Sequence, residues 1–103
     1  MNKTIESSLA ELKDLAPVLT ALGSRTRQMI LMLMRDNKEM DANDIAGHFN
    51  LSRTAIVHHL GVLKDSGVIK GNETTEIMRV DWTLITKTLS SAQTLIKPAC
   101  EVQ

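Results

Sequence analysis

The 103-residue sequence has little cysteine, no long apolar run and no excess of either charge. One cysteine, Cys100, excludes an intramolecular disulfide and any metal site built from the cysteines of one chain. Apolar residues make up 43% of the chain, but they occur in groups far shorter than the ~18 consecutive residues of a membrane span. Residues 1–16 alternate charged side chains with Ile and Leu, unlike a signal peptide or an anchor. We therefore expect a soluble, cytoplasmic protein without membrane contact.

The 12 basic and 12 acidic side chains cancel, which taken alone argues against nucleic-acid binding because phosphate-neutralising domains are usually basic. The distribution of the charges is more informative. Residues 51–64 contain Arg53, Lys64 and two histidines but no acid, and residues 23–35 contain three arginines and no acid. The acids gather in the first helix, around residues 36–44 and in residues 73–81. A neutral total therefore hides a modest basic face.

The spacing of apolar residues predicts two helices in the first third of the chain. The first helix starts with Thr4 as its N-cap and ends at Gly23, and Pro17 marks a break or a new first turn. Ser24 caps the second helix, which ends in a turn at residues 36–38. The apolar faces are Ile5, Leu9, Leu12 and Ala16 in the first helix, and Ile30, Leu33 and Met34, with Met29 beside them, in the second.

Residues 41–66 have the pattern of a helix-turn-helix. Asp41 and Asp44 resemble a capping box at the start of the first short helix, which ends near residues 49–50. Ser52 caps the second helix and Gly67 stops it. The apolar positions that hold the two helices together are Ile45, Phe49, Leu51, Ile56 and Leu60, with Ala46 where they approach closely.

A hairpin and a last helix complete the pattern. Residues 68–70 and 77–82 predict two strands, and in the second Met78, Val80 and Trp82 alternate with Arg79 and Asp81. The last helix runs from about residue 83 to Pro98 and carries Ile85, Leu89, Ala92 and Ile96 on one side. We expect one mainly α domain over residues 1–103, with about five helices, a helix-turn-helix at 41–66 and a hairpin at 67–82.

The second helix of the helix-turn-helix is the candidate for reading DNA. With Ile56, Leu60 and Leu63 toward the core, Thr54, His58, Gly61 and Asp65 fall on the opposite side and Val57 lies on one flank. Residues near the start of such a helix reach deepest into the major groove. The contacts expected there are Arg53 with a phosphate or guanine, Thr54 and His58 with base edges, Val57 with a thymine methyl, and Ser52 with a phosphate.

Plainer interpretations of this helix stay open. A polar outer face also occurs on a helix that only meets solvent. Gly61 either lets the backbone approach DNA or weakens the helix by ~1 kcal/mol relative to Ala. His59 lies near the buried edge, which suits a packed histidine bonded to backbone or phosphate better than a base reader.

The segment LSRTAIVHHLGVLKDSGVIK, residues 51–70, resembles the recognition helix and first wing strand of the ArsR/SmtB winged-helix repressors. The matching residues are Leu51, Ser52, Ile56, His59, Leu60, Leu63, Gly67, Val68 and Ile69. Residues 21–34 are similar to the family's preceding element at Ala21, Leu22, Thr26, Arg27, Ile30 and Leu31. The resemblance covers residues 18–84. It implies a winged helix-turn-helix fold and a homodimeric repressor that binds a palindromic operator and is released by a small effector.

The sequence departs from the family pattern in the recognition helix and in the wing. Val57 replaces the family's usual serine, Gly61 a common lysine or arginine, and Arg25 a proline. The wing has Lys70 and Arg79 but also three acids, Glu73, Glu76 and Asp81, which makes it less basic than most. The full set of DNA-binding candidates is Ser52, Arg53, Thr54, Val57, His58, His59, Gly61, Lys64, Lys70, Arg79 and Arg27.

No metal or cofactor is expected. Metal-sensing members of the family use cysteines in the helix before the recognition helix, and residues 39–44 contain none. Another family site uses Asp and His on the last helix, where residues 83–103 offer only Glu101. Asp44 and His48 are one turn apart, but two ligands do not hold a metal firmly. Cys100 either forms a disulfide between protomers or has no special role. The methionines are expected to fill the core rather than to form an effector pocket. The effector is unknown.

The apolar stripes of the first helix (4–22) and the last helix (83–97) are the candidate dimer surface. A twofold axis would place two recognition helices one DNA turn, ~34 Å, apart. The residues expected in this surface are Ile5, Leu9, Leu12, Leu89, Ala92 and Ile96. The alternative is that these stripes only close the core of their own protomer.

Two functions therefore compete. The first is a sequence-specific DNA-binding repressor, and the second is a winged helix used as a protein–protein interaction module, which the neutral charge and acidic wing favour. Salt dependence separates them, because screening of phosphate contacts weakens DNA binding. An enzyme is not expected, since the sequence shows no nucleophile–base pair and no phosphate-binding glycine loop.

Overall fold

The computed structural model describes residues 3–71 and 77–96. Within those ranges, the chain forms the mainly helical fold with a hairpin wing that the sequence predicts. The elements are α1 (Lys3–Leu22), α2 (Arg25–Asp36), α3 (Ala42–Ala46), α4 (Arg53–Asp65), β1 (Ile69–Gly71), β2 (Met78–Val80) and α5 (Trp82–Ile96). None of the helices in the described ranges is both long enough and apolar enough to cross a membrane.

Three helices begin at the caps that the sequence predicts. The hydroxyl of Ser24 accepts a hydrogen bond from the N–H of Arg27 at 3.3 Å. Asp41 and Asp44 form a reciprocal capping box, with bonds of 2.8 and 3.1 Å. The hydroxyl of Ser52 accepts from the N–H of Ala55 at 3.1 Å. Each cap satisfies an amide that the helix itself leaves without a partner.

The ends of α1 and α3 differ from the prediction. Because α1 begins at Lys3, Thr4 lies inside the helix and is not its N-cap. Pro17 does not break α1; it is exposed, so water can bond the backbone carbonyl that lost its amide partner. The predicted end of α3 near residues 49–50 is also wrong, since the helix stops at Ala46.

The strand predicted over residues 77–82 is shorter, because Asp81 starts α5. The carboxylate of Asp81 accepts a hydrogen bond from the N–H of Leu84 at 2.9 Å. That bond, ahead of the Lys70 ammonium, lowers the pKa of the Asp81 carboxyl. Trp82 therefore opens a helix instead of ending a strand, and its side chain is 38% exposed.

The core lies where α1, α2, α3, α4, the hairpin and α5 meet. Its largest fully buried side chains are Ile30, Met34, Ile45, Ile56, Leu63, Val68, Ile69 and Met78. On α2 the prediction was partly wrong, because Leu31 is buried while Leu33 is half-buried and Met29 is exposed. At ~100° per residue, a face centred on Ile30, Leu31 and Met34 leaves Met29 almost opposite. Leu51, expected between the two helices, is also exposed.

The wing is an antiparallel hairpin that is tied to the chain before α3. Its register pairs Ile69 with Val80 and Lys70 with Arg79. The N–H of Met78 also donates to the carbonyl of Met40 at 2.9 Å. Strand β2 is therefore hydrogen-bonded on both of its sides, to β1 on one and to Met40 on the other.

Gly67 turns the chain from α4 into β1. The N–H of Gly67 donates to the carbonyl of Lys64 at 3.0 Å, and that of Val68 donates to the carbonyl of Leu63 at 3.1 Å. This Schellman pattern needs a left-handed residue, and Gly67 has φ +84°. A Cβ at this position would lie 3.2 Å from a methyl carbon of Leu84.

We expect Gly67→Ala to lower the free energy of unfolding by about 1–2 kcal/mol, because a Cβ is disfavoured in the left-handed region. Gly61→Ala is the matched control. Gly61 lies inside α4 with nothing within 4 Å of an added Cβ, so the same change should stabilise by up to about 1 kcal/mol. Urea unfolding followed by circular dichroism measures both, and equal effects of the two substitutions would contradict this account.

Candidate nucleic-acid interface

One side of α4 is buried and the other faces solvent. Ile56, Leu60 and Leu63 are buried in the core, as the sequence predicts. The residues on the outer side are exposed: Arg53, Thr54, Val57, His58, Lys64 and Asp65. Val57 is 50% exposed, so its branched apolar side chain is accessible to a partner.

Gly61 lies in the middle of this outer side of α4 and forms a shallow depression there, because it has no side chain. It is half-buried, yet apart from its chain neighbours and the backbone of its own helix, no atom lies within 4 Å of where its Cβ would be. The backbone of α4 is therefore accessible at this turn to a large partner.

The start of α4 suits an anion. Ser52 caps the amide of Ala55, and the amides of Arg53 and Thr54 have no acceptor within the helix because of its geometry. The positive end of the helix dipole adds to this preference, and the guanidinium of Arg53 is exposed beside it.

His59 does not share the exposed side but contacts Arg27 of α2. Its Nδ1 lies 3.2 Å from Nη1 of Arg27. Because a guanidinium only donates, Nδ1 must accept, which requires the neutral ring with its proton on Nε2. Burial, followed by the charges of Arg27 and His58, lowers the pKa of His59 and favours the same neutral form.

Arg27 also bonds the end of α1. Its Nε donates to the carbonyl of Ala21 at 2.8 Å and its Nη2 donates to the carbonyl of Thr20 at 3.1 Å. All three guanidinium nitrogens thus contact protein atoms. Arg27 joins the C-terminal end of α1 to α4, which is a positioning task rather than an exposed contact.

Both cations of the wing are paired with acids. The ammonium of Lys70 lies 3.1 Å from the carboxylate of Asp81, and Arg79 bonds Glu39, which precedes α3. The two cations are nevertheless largely exposed, so solvent screens both pairs. Glu73 and Glu76 lie outside the described residues.

The apolar stripes of α1 and α5 are largely exposed although the two helices pack on each other. Leu9 is 49% exposed, Leu89 is 50% exposed and Ile96 is 74% exposed. Ile5 and Leu12 are also exposed, and Ala92 is half-buried. The protomer core instead takes Val18 and Ala21 from α1 and Ile85 from α5.

Within the described ranges, no three His, Cys, Asp or Glu side chains come together as a metal site would require. Cys100 and Glu101 lie outside those ranges.

Sequence reasoning missed the acidic partners of the wing and the partner of His59. An aspartate directly before an apolar helical stripe is an N-cap signal, and it could have identified Asp81. The pairs Glu39–Arg79 and Arg27–His59 join residues 40 and 32 positions apart. No local sequence pattern indicates pairs between residues this far apart.

The contact between Arg27 and His59 predicts a pH dependence of stability. Because the folded protein lowers the pKa of His59 from 6.5, stability is present above that value and is lost as the pH falls through the folded pKa. His59→Asn keeps an acceptor at the position of Nδ1 but does not titrate. We expect its Tm to change less than that of the wild type between about pH 7.5 and pH 5.5.

His58→Asn is the control, because His58 is exposed and its charge is the smallest of the three causes that lower the pKa of His59, so most of the dependence should remain. An identical pH dependence of Tm in His59→Asn and the wild type would show that the contact between Arg27 and His59 does not contribute to the pH dependence of stability.

One segment of the sequence matches a known family model. Residues 24–70 match the model described as "Bacterial regulatory protein, arsR family". The transcriptional repressor SdpR of Bacillus subtilis is 46% identical over 52 residues, which are 50% of this chain and 57% of SdpR. An uncharacterized HTH-type transcriptional regulator of Methanocaldococcus jannaschii is 34% identical over 58 residues, 56% of this chain and 65% of that protein. The matches thus span less than two thirds of either curated relative.

Solved structures extend the likeness beyond the helix-turn-helix. An ArsR-like transcriptional regulator from Rhodococcus sp. RHA1 superposes with a TM-score of 0.70 and 26% identity, over 82% of this chain and 80% of that one. NolR from Sinorhizobium fredii has a TM-score of 0.65 over 96% and 97% of the two chains, and at 19% identity it shows the fold alone. Residues 24–70 therefore match an ArsR-family helix-turn-helix, and the described fold is similar to that of an ArsR-like transcriptional regulator.

Proposed function

We propose that this regulator binds double-stranded DNA in the cytoplasm as a homodimer and represses transcription from a palindromic operator. The observation that carries the proposal is the outer side of α4. It exposes Arg53, Thr54, Val57 and His58 opposite a fully buried side, in a stretch, residues 51–64, that contains no acid. The similarity to a protein named as a transcriptional repressor supports the direction of regulation.

In this proposal the start of α4 enters the major groove. Arg53 pairs with guanine or a phosphate, Thr54 and His58 bond base edges, and Val57 packs on a thymine methyl. Gly61 lets the backbone of α4 come close to DNA, since it has no side chain and the space where a Cβ would lie is open.

Phosphate contacts frame these base contacts. Ser52 and the free amides of the first turn bind one phosphate, and Lys64 binds another near the end of α4. His59 is held by Arg27 with its proton on Nε2, so it can donate only from that nitrogen. Arg27 itself is assigned to holding α4 in place, because its nitrogens are already bonded to the protein.

The wing adds weaker contacts. Lys70 and Arg79 are exposed, and each has to leave its carboxylate to reach a phosphate. Exposed ion pairs contribute little to stability, so this exchange is feasible, but it reduces the gain from each contact.

A twofold dimer brings two α4 helices to one DNA. The exposed stripes on α1 and α5 together offer an apolar surface with Leu9, Leu12, Leu89, Ala92 and Ile96. Burying it against a second copy removes apolar area from water and gives the spacing of ~34 Å that successive major grooves require.

A protein–protein interaction module is the second candidate. The zero net charge and the paired cations of the wing favour it. It predicts no salt-dependent binding to any duplex.

We expect Arg53→Ala and His58→Ala to weaken DNA binding by about tenfold or more each, because each removes a groove contact. A duplex is first selected from a random-sequence pool with the wild-type protein, and affinity is then measured by fluorescence anisotropy at several salt concentrations. The wild-type affinity should fall steeply with salt.

Lys13→Ala, which removes an exposed cation on α1, is the matched control and should bind as the wild type does. If no duplex is selected, or if both α4 variants keep full affinity, α4 is not the reading helix and the interaction module gains support.

We expect Leu9→Glu and Leu89→Glu to shift the protein toward monomer, because each places a charge in the apolar dimer surface. Sedimentation velocity measures the change. Met29→Glu is the control, since Met29 is equally exposed but lies on α2. Dimers unaffected by the α1 and α5 substitutions would place the interface elsewhere.

A further inference from the structure

A cavity of about 360 Å³ lies where α2, β2 and the start of α5 meet. Its apolar wall consists of Met34, Val80 and Trp82. Its charged rim consists of Arg35, Lys38, Arg79 and Glu39. Apart from Arg79, none of these residues has a part in the proposed DNA contacts or in the proposed dimer surface.

The rim carries an excess of positive charge. Among the residues that the structure describes, three cations line the cavity against one carboxylate, and that carboxylate is bonded to Arg79. Arg35 pairs with Asp36, which does not line the cavity, in an exposed ion pair of 3.0 Å. Lys38 is exposed and, among the described residues, takes part in no hydrogen bond or ion pair. Lys38 is therefore available to an anion, and Arg35 is available at little cost.

The apolar wall favours an organic ligand over a simple inorganic anion. Trp82 leaves 38% of its surface in water, although indole is among the most favourable groups to cover. It is the one tryptophan of the sequence. The cavity is large enough for a small organic ligand with a flat apolar body.

We propose that this cavity binds a small carboxylate whose flat apolar body lies against Trp82 and whose carboxylate is held by Arg35 and Lys38. A guanidinium matches a carboxylate with two parallel hydrogen bonds, and an ammonium adds a point charge. An inorganic anion would leave the wall of Met34, Val80 and Trp82 uncovered. This ligand site goes beyond the proposed DNA binding and does not depend on it.

The fluorescence of Trp82 tests the proposal directly, because the chain has no other tryptophan and no tyrosine. Phenylacetate is the probe, and phenylacetamide and acetate are its neutral and ringless counterparts. We expect a saturable change in emission with phenylacetate, affinity about tenfold lower for phenylacetamide, and no saturable change with acetate.

Arg35→Gln and Lys38→Gln remove the charge but keep most of each side chain. We expect each to weaken phenylacetate binding by about threefold to tenfold. Lys13→Gln, on α1 away from the cavity, should bind as the wild type does. Circular dichroism confirms that each variant is folded, and both rim residues are exposed, so the fold should tolerate the changes.

The proposal is wrong if phenylacetate gives no saturable change, if phenylacetamide binds equally well, or if both rim variants bind as the wild type does. It is also wrong if the rim variants lose DNA affinity while phenylacetate binding is unchanged, because the cations would then serve DNA. Since the titration contains no DNA, failure of the DNA-binding proposal leaves its result unaffected.

Discussion

The burial of Ile56, Leu60 and Leu63 fixes the orientation of α4 and therefore decides which of its side chains face solvent. Each of these side chains gains roughly 1.5–3 kcal/mol when it leaves water, and all three lie on one side of α4. The helix cannot rotate without exposing them. Its opposite side, with Arg53, Thr54 and His58, is therefore held outward at a fixed angle, as the proposed DNA contacts require.

Arg27 adds a second constraint, because it contacts both α1 and α4. It bonds the last carbonyls of α1 and, through Nη1, the His59 ring of α4. The helix that carries part of the apolar stripe is thus joined to the helix with the basic outer side. A movement of α1 would therefore be passed to α4 through this side chain.

The parts of the fold that depend on neighbouring residues could be predicted from the sequence. Ser24, Asp41, Ser52 and Gly67 are local signals, and each is found where it was expected. Two kinds of feature could not be predicted. The rotation of α2, which buries Leu31 and exposes Met29, is set by the elements that pack on it. Pairs such as Arg79 with Glu39 join distant parts of the chain, and only the folded arrangement brings them together.

The backbone bond between Met78 and Met40 encloses the helix-turn-helix in a loop of chain whose two ends meet. Everything from α3 through β1 lies inside that loop, whereas α1 and α5 lie outside it. The segment from Met40 to Met78 is therefore closed by its own backbone hydrogen bond, in addition to its packing against neighbouring elements. The bond that joins the two ends of this segment involves no residue of α1 or α5.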